Sequence, residues 1–514
     1  MRPRVLWPLR RDEALAVLAS AVLFTLSFPP FPFVVPVFFC LVPIGLAVAR
    51  IADGESGVRA AARLGFWFGL AAYAMSVYWI ASALKLFTSL AYLGFAATIV
   101  AAGVLISVGI VGMFCLRRLS RWPMAIVLPV GWVGFEVMMA NLPDIAFPWL
   151  PLGLATAWQP LLAQVADVSG VRGVSFIIAA INGLFIDAWL LRADRRAVAM
   201  RAAAAIAIVL AMLGYGAWRL ATIETRVVGR VAIVQPNIPQ LDKWMDEHRD
   251  RIVSIVAEET RKVPALGQAD LIVWPEATFT DFIQYRPAWL DTVAALVHET
   301  GAPIIFGTPD LDWRGENDYD YYNAAMITQP DGRVTQPAYR KRDLVPIVER
   351  VPFVNPRWFS RLRYFGGFSR GNMVLFESPV GTLGILICYE SVFAGRSREF
   401  RRNGAALLVN ITNDAWFGRS LAPYHHEAHL ALRAIENRAG VIRSANTGIS
   451  SYIDPLGRFH GRTPLFESAV RLFDAETTDV VSPYLRFGDW VGTIAALAAL
   501  LAILVLAVGR GRAP

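Results

Sequence analysis

Three residues in the second half of the chain have the types that nucleophilic catalysis needs. The octet Gly384-Ile385-Leu386-Ile387-Cys388-Tyr389-Glu390-Ser391 begins as a short apolar run of buried-strand character and delivers a thiol at its end. The mixed stretch 392–400 reads as the start of a helix. Cys388 is therefore expected near a helix N-terminus, whose partial positive charge favours thiolate over thiol. Taken alone, the octet fits an inert core cysteine equally well. Leu271-Ile272-Val273-Trp274-Pro275-Glu276-Ala277 sets an acid just past a second buried strand, and Tyr339-Arg340-Lys341-Arg342 offers a lysine. A cysteine nucleophile needs a base to take its proton and a cation or donor to hold the oxyanion of the tetrahedral intermediate. Glu276, Lys341 and Cys388 can supply those functions.

The frame that must position these groups is a membrane protein. Of 514 residues 55% are hydrophobic, and a mean hydropathy of +0.45 is too apolar for a soluble chain of this length. The net charge of +8 comes mostly from arginine and does not require nucleic acid as a partner, because arginine also orients helices in a bilayer. Cys40 and Cys115 fall within long apolar runs, which leaves Cys388 as the thiol of the polar region and rules out a disulfide framework there. Residues 14–29, 30–49, 65–83, 90–115, 123–140, 173–191 and 202–219 are each expected to span a hydrocarbon core of about 30 Å, and 490–508 forms an eighth span. Arginines cluster before the first span, between the second and third, after the fourth and after the sixth, with Arg510 and Arg512 at the end. Both termini are then cytoplasmic and the polar region lies outside. The apolar stretch 146–166 is interrupted by Pro148, Pro151 and Pro160 and carries Trp149 and Trp158, so it is expected as a re-entrant or surface-lying outer loop. Glu136 and Asp187 fall near span ends, where snorkelling or helix pairing is weighed against a functional role.

From Arg226 to about Arg486 the composition becomes that of an α/β domain. Strands are expected at 231–235, 271–274, 303–307, 384–387, 406–410 and 441–445, and helices at 247–262, 287–299 and 425–437. The domain boundaries are thus 1–222, 223–486 and 487–514. Trp244, Tyr364, Phe365, Trp416 and Phe417 lie in segments suited to lids that touch lipid, with ordinary packing an equal alternative. The loop 356–370 mixes Arg357, Arg361, Arg363 and Arg370 with aromatics, as a phosphate-binding, membrane-facing loop does. His425 and His429 stand one helical turn apart, but no third ligand accompanies them, and no metal is expected.

In chain order, Glu276, Lys341 and Cys388 resemble the Glu-Lys-Cys triad of the nitrilase, or carbon–nitrogen hydrolase, superfamily. Further motifs resemble its membrane-embedded branch, the apolipoprotein N-acyltransferases. They are Val234-Gln235-Pro236-Asn237-Ile238-Pro239-Gln240, Trp244, Tyr322-Asn323, Lys341-Arg342-Asp343-Leu344-Val345-Pro346, Glu349-Arg350-Val351-Pro352-Phe353, Phe368-Ser369-Arg370-Gly371 and Asn413-Asp414-Ala415-Trp416-Phe417-Gly418. The resemblance implies an α/β nitrilase-like αββα sandwich, extracytoplasmic, joined to eight transmembrane helices in a bacterial inner membrane. It implies acyl transfer, without metal or soluble cofactor, from a phospholipid, typically phosphatidylethanolamine, through a thioester to the amine of a diacylglyceryl-cysteine apolipoprotein. Cys388 would be the nucleophile, Glu276 the base and Lys341 the oxyanion partner. Glu349 and Glu390 would support them, unless they are structural carboxylates paired with arginine; Trp244, Asn323, Trp416 and Phe417 are substrate or lid candidates. Two other readings use the same residues differently: a membrane-tethered amidase with water as acceptor, and a transporter with an accessory domain, which leaves the triad unexplained.

Overall fold

The structure, a computed structural model, describes residues 8–510 apart from 87–88, 317, 356–357 and 359–366, and of residues 506–510 the helical backbone alone. The apolar runs fold into the helices Arg11–Leu26, Val42–Asp53, Val58–Ser76, Ala91–Ser120, Met124–Asn141, Val171–Leu190, Arg195–Thr222 and Trp490–Arg510. Among the described residues, five helices are long and apolar enough to cross a membrane, and the bent pair Val58–Ser76 and Trp79–Lys85 makes a sixth. Arg11–Leu26 and the apolar part of Trp490–Arg510 are shorter. Two expected spans differ in form. Pro30, Pro32 and Pro36 deny backbone donors to the start of 30–49, so the chain turns there and its α-helix begins only at Val42. The run 65–83 breaks after Ser76 and bends by 63° into Trp79–Lys85, which swings Trp79, Ile80, Ala83 and Leu84 toward the catalytic domain.

Close approach of backbones fixes the pairing of Val58–Ser76 with Ala91–Ser120. A Cβ on Gly69 would lie 2.9 Å from the Gly103 Cα, and one on Gly65 would lie 2.7 Å from the Ser107 Cα. Glycines four apart on one helix face thus let two helices touch where lipid provides no hydrophobic drive for association. Both acids near span ends are buried: Asp187 binds helix to helix, and Glu136 ties its helix to the short turn that starts at Leu152. Both Asp187 oxygens accept from the first backbone donors of Met124–Asn141, Met124 N at 2.9 Å and Ala125 N at 3.0 Å. Glu136 Oε1 accepts from Trp132 Nε1 at 2.9 Å and Leu152 N at 2.8 Å.

Of the two expectations for the stretch 146–166, re-entrant or surface-lying, burial disfavours the second. It forms short helical turns, Leu152–Thr156 and Pro160–Ala163 among them; Leu152, Leu154, Leu162 and Ala163 are buried while Leu161 is exposed, and Trp149 is 1% exposed. Its aromatic groups find protein partners in place of the interface, because the catalytic domain packs directly over it.

That domain alternates strands and helices. On β1 (Arg226–Gln235), β2 (Leu271–Val273), β3 (Ile304–Gly315), β4 (Asp318–Ile327) and β5 (Tyr339–Arg340), one set of side chains, Val231, Ile233, Leu271, Val273 and Ile305, joins the core shared with the second sheet. The alternate set, Ala232, Val234, Ile272, Ile304 and Phe306, packs with Val253, Val256, Val293 and Leu296 of helices Arg249–Thr260 and Pro287–Thr300. A strand period of two, buried on both faces, therefore puts helices outside and a second sheet inside. The second sheet comprises β6 (Leu375–Phe376), β7 (Leu383–Ile387), β8 (Leu407–Thr412), β9 (Val441–Ala445), β10 (Ser451–Ile453) and β11 (Phe459–His460), with helices Ala394–Arg402 and Ala422–Asn437 against it. With β12 (Ala469–Thr477), the orders among described residues are β12-β1-β2-β3-β4-β5 and β11-β10-β9-β8-β7-β6. β1, β2 and β3 run parallel, as do β7, β8 and β9. The expected strands and helices are present with shifted ends.

The glycine contacts predict that Gly69→Leu costs about 1–3 kcal/mol or more through overpacking. Thermal unfolding in detergent should show a lowered midpoint for this variant. Gly214→Leu, on a helix face with nothing within 4 Å of the new Cβ, should leave the midpoint unchanged.

Candidate active site

Glu276, Lys341 and Cys388 each stand just beyond the C-terminal end of a strand, β2, β5 and β7 respectively. The first two strands belong to one sheet and the third to the other, so the sandwich brings together groups far apart in sequence. Gly307 on β3 allows the first of these placements: a Cβ there would sit 2.7 Å from the Glu276 Cα and 2.4 Å from Ala277 N.

Lys341 is 1% exposed. Its Nζ lies 2.8 Å from Glu349 Oε1 and 3.5 Å from Glu276 Oε1. Asn323 Nδ2 donates to both carboxylates, at 2.8 Å to Glu276 and 3.0 Å to Glu349. Asn413 N donates to Glu276 Oε2 at 2.9 Å, and Val345 N to Glu349 Oε2 at 2.8 Å. Each acid is thus held at both oxygens. Burial opposes the charge on Lys341, but Glu349 and Glu276 outweigh it and keep the ammonium protonated, well above its ordinary range.

Cys388 opens the short helical turn Cys388–Val392 with φ +51°, a left-handed conformation unusual for a side chain-bearing residue. The expected thiolate preference fails. Burial pushes the thiol well up and Glu276 pushes it further, while Lys341 pulls it down only in part. A turn of five residues adds too little dipole to reverse this. The resting group is a thiol, and a base must act for it to become a nucleophile.

Glu390 sits behind Cys388. Its Oε1 accepts from Tyr339 Oη at 2.8 Å and Arg342 N at 2.7 Å, and its Oε2 accepts from Ile387 N at 2.8 Å. Burial, helped by Asp343, pushes its carboxyl up to about 7. It ties the segment carrying Lys341 to the strand carrying Cys388.

Cys388, Glu276, Lys341, Glu349, Asn323, Trp244, Trp416 and Phe417 all line one cavity of about 510 Å³. Its other walls come from the membrane helices: Trp79, Ile80, Ala83 and Leu84, then Gly94, Ala97, Thr98, Ala101 and Leu105 on Ala91–Ser120. Trp244 faces Trp416 with ring centroids 6.2 Å apart, and Phe417 meets Trp79 at 4.7 Å. Tyr364, Phe365, Arg357, Arg361 and Arg363 lie outside the described residues; Arg370 pairs with Asp144 at 2.8 Å.

Some residues at the site carry no sequence signal. Lys243 is 1% exposed, donates from Nζ to the Glu276 carbonyl at 3.1 Å, and is brought down to about 7 by burial despite Glu276. His426 and Trp149 also line the cavity. Asp414 stands within a quoted motif, yet only the fold reveals its contacts.

Asn323→Asp would set a third carboxylate against Glu276 and Glu349. Like charges make it hold its proton more tightly folded than unfolded, so the stability cost grows as pH rises above the ordinary Asp value of about 4. The unfolding midpoint should fall by several degrees relative to wild type at about pH 8 and much less at about pH 5.

A family model described as carbon-nitrogen hydrolase matches residues 230–479, and one described as apolipoprotein N-acyltransferase N-terminal domain matches residues 20–184. An apolipoprotein N-acyltransferase of Geobacter metallireducens is 35% identical over 504 residues, which cover 93% of this chain and 92% of that one. Another, from Bradyrhizobium diazoefficiens, is 31% identical over 528 residues, 96% of this chain and 94% of that one. Among solved structures, a nitrilase-superfamily amidase of Nesterenkonia AN1 overlaps 52% of this chain and 95% of its own at 17% identity and a TM-score of 0.37. On the similarity to the Geobacter protein across almost its whole length, the chain belongs to the apolipoprotein N-acyltransferase family.

Proposed function

We propose that the protein moves an acyl chain from a phospholipid to Cys388 as a thioester, and then to the α-amino group of a diacylglyceryl-cysteine at an apolipoprotein N-terminus. The observation that carries this reading is the single cavity that joins the Glu276–Lys341–Cys388 cluster to apolar faces of membrane helices. A soluble small-molecule substrate has no need of such walls; a lipid tail does, since each buried methylene contributes about 0.8 kcal/mol.

In the first half-reaction, Cys388 Sγ attacks the ester carbonyl while Glu276 takes the thiol proton. Negative charge develops on the carbonyl oxygen, where the Lys341 ammonium, kept protonated by its two carboxylates, stabilises it. Collapse breaks the ester C–O bond, and Glu276 returns the proton to the departing lysophospholipid oxygen. In the second half-reaction the neutral amine attacks the thioester, Glu276 accepts the amine proton, and as the C–S bond breaks Glu276 passes that proton to the departing sulfur, which regenerates both the thiol and the carboxylate. Glu349 and Asn323 hold Lys341 and Glu276 in register, and Glu390 acts behind the nucleophile.

The finer assignments belong to the same reading. Residues 1–222 form the membrane domain, 223–486 the catalytic domain and 487–514 the last helix and tail. The catalytic domain lies on the periplasmic face of a bacterial inner membrane, with both termini cytoplasmic and phosphatidylethanolamine as donor. The alternation of arginine-rich and arginine-poor connections supports this orientation.

Purified enzyme given labelled phosphatidylethanolamine alone should accumulate a hydroxylamine-labile acyl group on Cys388 and release lysophospholipid in about equal amount. Cys388→Ala should abolish this, and Glu276→Gln should lower it by at least about a hundredfold. Sustained release of free fatty acid from phospholipid alone, as fast as turnover with acceptor, would establish the amidase-like reading with water as acceptor instead. A membrane-impermeant amine reagent should label residues 223–486 in intact spheroplasts; labelling only after lysis would reverse the assigned orientation.

A further inference from the structure

The cavity that holds the catalytic cluster has a far end, and particular side chains close it. Among the described residues, its wall on helix Ala91–Ser120 runs from Gly94 through Ala97, Thr98, Ala101 and Ala102 to Leu105 and stops there. Met139 is the deepest lining residue of Met124–Asn141, and Tyr73 that of Val58–Ser76. Leu105 lies between Gly103 and Ser107, which face Gly69 and Gly65, so the end of the cavity sits where those two helices abut. One turn further along, the space is gone. A Cβ on Gly109 would lie 2.9 Å from the Phe135 Cβ, and one on Gly131 would lie 2.2 Å from the Met113 Cγ. Helices Ala91–Ser120 and Met124–Asn141 therefore meet just past Leu105 and Met139.

The length of this groove has a physical counterpart. The rise from Gly94 to Leu105 along a helix is about 17 Å. One leaflet, half of a hydrocarbon core of about 30 Å, is about 15 Å deep. The groove thus matches the depth over which a membrane acyl chain extends. Its side chains divide by size: glycine and alanine leave room for a chain to lie against the helix, whereas Leu105 and Met139 stand at the end. Leu105 is half-buried and Met139 is 4% exposed.

We infer that Leu105 and Met139 form a length stop, which fixes how many methylenes of the donor acyl chain fit between Cys388 and the end of the groove and so selects chains that fill one leaflet. A longer chain has to push its terminal methyl into Leu105 or Met139, which overpacks that end. A shorter chain leaves a void there, and the lining loses its contacts. All donors present the same surface near the ester, so the difference between them arises where their terminal methyls stop.

The inference rests on the reading of Cys388 as the acyl carrier. Its test gives the full-length protein an equal mixture of phosphatidylethanolamines whose saturated chains rise in steps of two carbons, and identifies the acyl groups on Cys388 by peptide mass spectrometry. Each sample supplies its own ratio, so the readout does not depend on how much of a variant folds. In the unaltered protein one chain length should dominate. Leu105→Ala should favour chains two carbons longer by about fivefold or more, and Ala101→Leu, which fills the groove one turn earlier, should shift the distribution toward shorter chains. Val104→Ala, at an exposed residue that does not line the cavity, should leave the distribution where it was. If Leu105→Ala does not fold, Met139→Ala should make the same shift. An unchanged distribution in these acylated groove variants, or an equal shift in Val104→Ala, overturns the length stop and means that the tail leaves the groove sideways into the bilayer. Absence of any acyl group on Cys388 of the unaltered protein would instead bring down the acyl-carrier reading, and the length stop with it.

Discussion

A buried ammonium sets the terms for the catalytic centre. An uncompensated charge at the 1% exposure of Lys341 costs several kcal/mol, or else the group loses its proton. Glu276 and Glu349 prevent that loss, and they arrive from separate segments that a two-sheet sandwich must hold in place. This explains why Gly307 lacks a side chain where β3 passes Glu276, and why Asn323 donates to both acids at once. The arrangement has a consequence for the thiol. Burial first, then Glu276 and Asp414, push the Cys388 thiol up, and Lys341 offsets this only in part. The nucleophile exists only while the base acts on it.

Glu276 and Cys388 were legible because each follows a short apolar strand, a local pattern that needs no knowledge of neighbours, whereas Lys341 follows the polar pair Tyr339-Arg340 and was picked out by its residue type and motif. Strands buried on both faces were legible for the same reason. β4 and β12 were not: Asp318, Asp320 and a run of tyrosines break up one, and Arg471, Asp474 and Glu476 alternate along the other, which lies at a sheet edge. The charge state of Cys388 was misread because it depends on distant groups. Burial, Glu276 and Asp414 push its thiol up from outside its own turn, whereas the helix N-terminus inferred from residues 388–400 is a short turn followed by a separate helix. Lys243 gives no signal at all, since burial is a property of the fold and not of lysine.

The prolines and tryptophans of 146–166 are equally informative about lipid interface and about protein packing, and the sequence could not choose between them. The fold chooses packing. Tyr389 Oη, next to the nucleophile, donates to the Ala146 carbonyl at 2.7 Å, and His429 Nε2 donates to the Trp149 carbonyl at 3.0 Å. Farther along, Arg438 of the catalytic domain is buried against Asp167, and Glu436 accepts from Val171 N at 2.7 Å at the start of a membrane helix. Buried charged pairs that lose a partner leave an uncompensated charge, so such contacts resist separation even where their net contribution to stability is small. Contacts of this kind join the catalytic cluster to the membrane helices, and both line the cavity between them.

The cavity's lining bears on why acyl transfer would be preferred to hydrolysis at such a site. The chemistry at the thioester is indifferent to whether an amine or water attacks; selectivity has to come from which nucleophile is held there. An acyl chain esterified to Cys388 would occupy the apolar groove beside Trp79, Ile80 and Ala97, displacing water from the space through which it would approach. A diacylglyceryl acceptor brings its own methylenes, each contributing about 0.8 kcal/mol on burial, and that binding holds its amine near the thioester. Water has no such anchor. On this argument discrimination resides in the walls donated by the membrane helices, and the Glu276–Lys341–Cys388 cluster needs no feature beyond those a hydrolase would use.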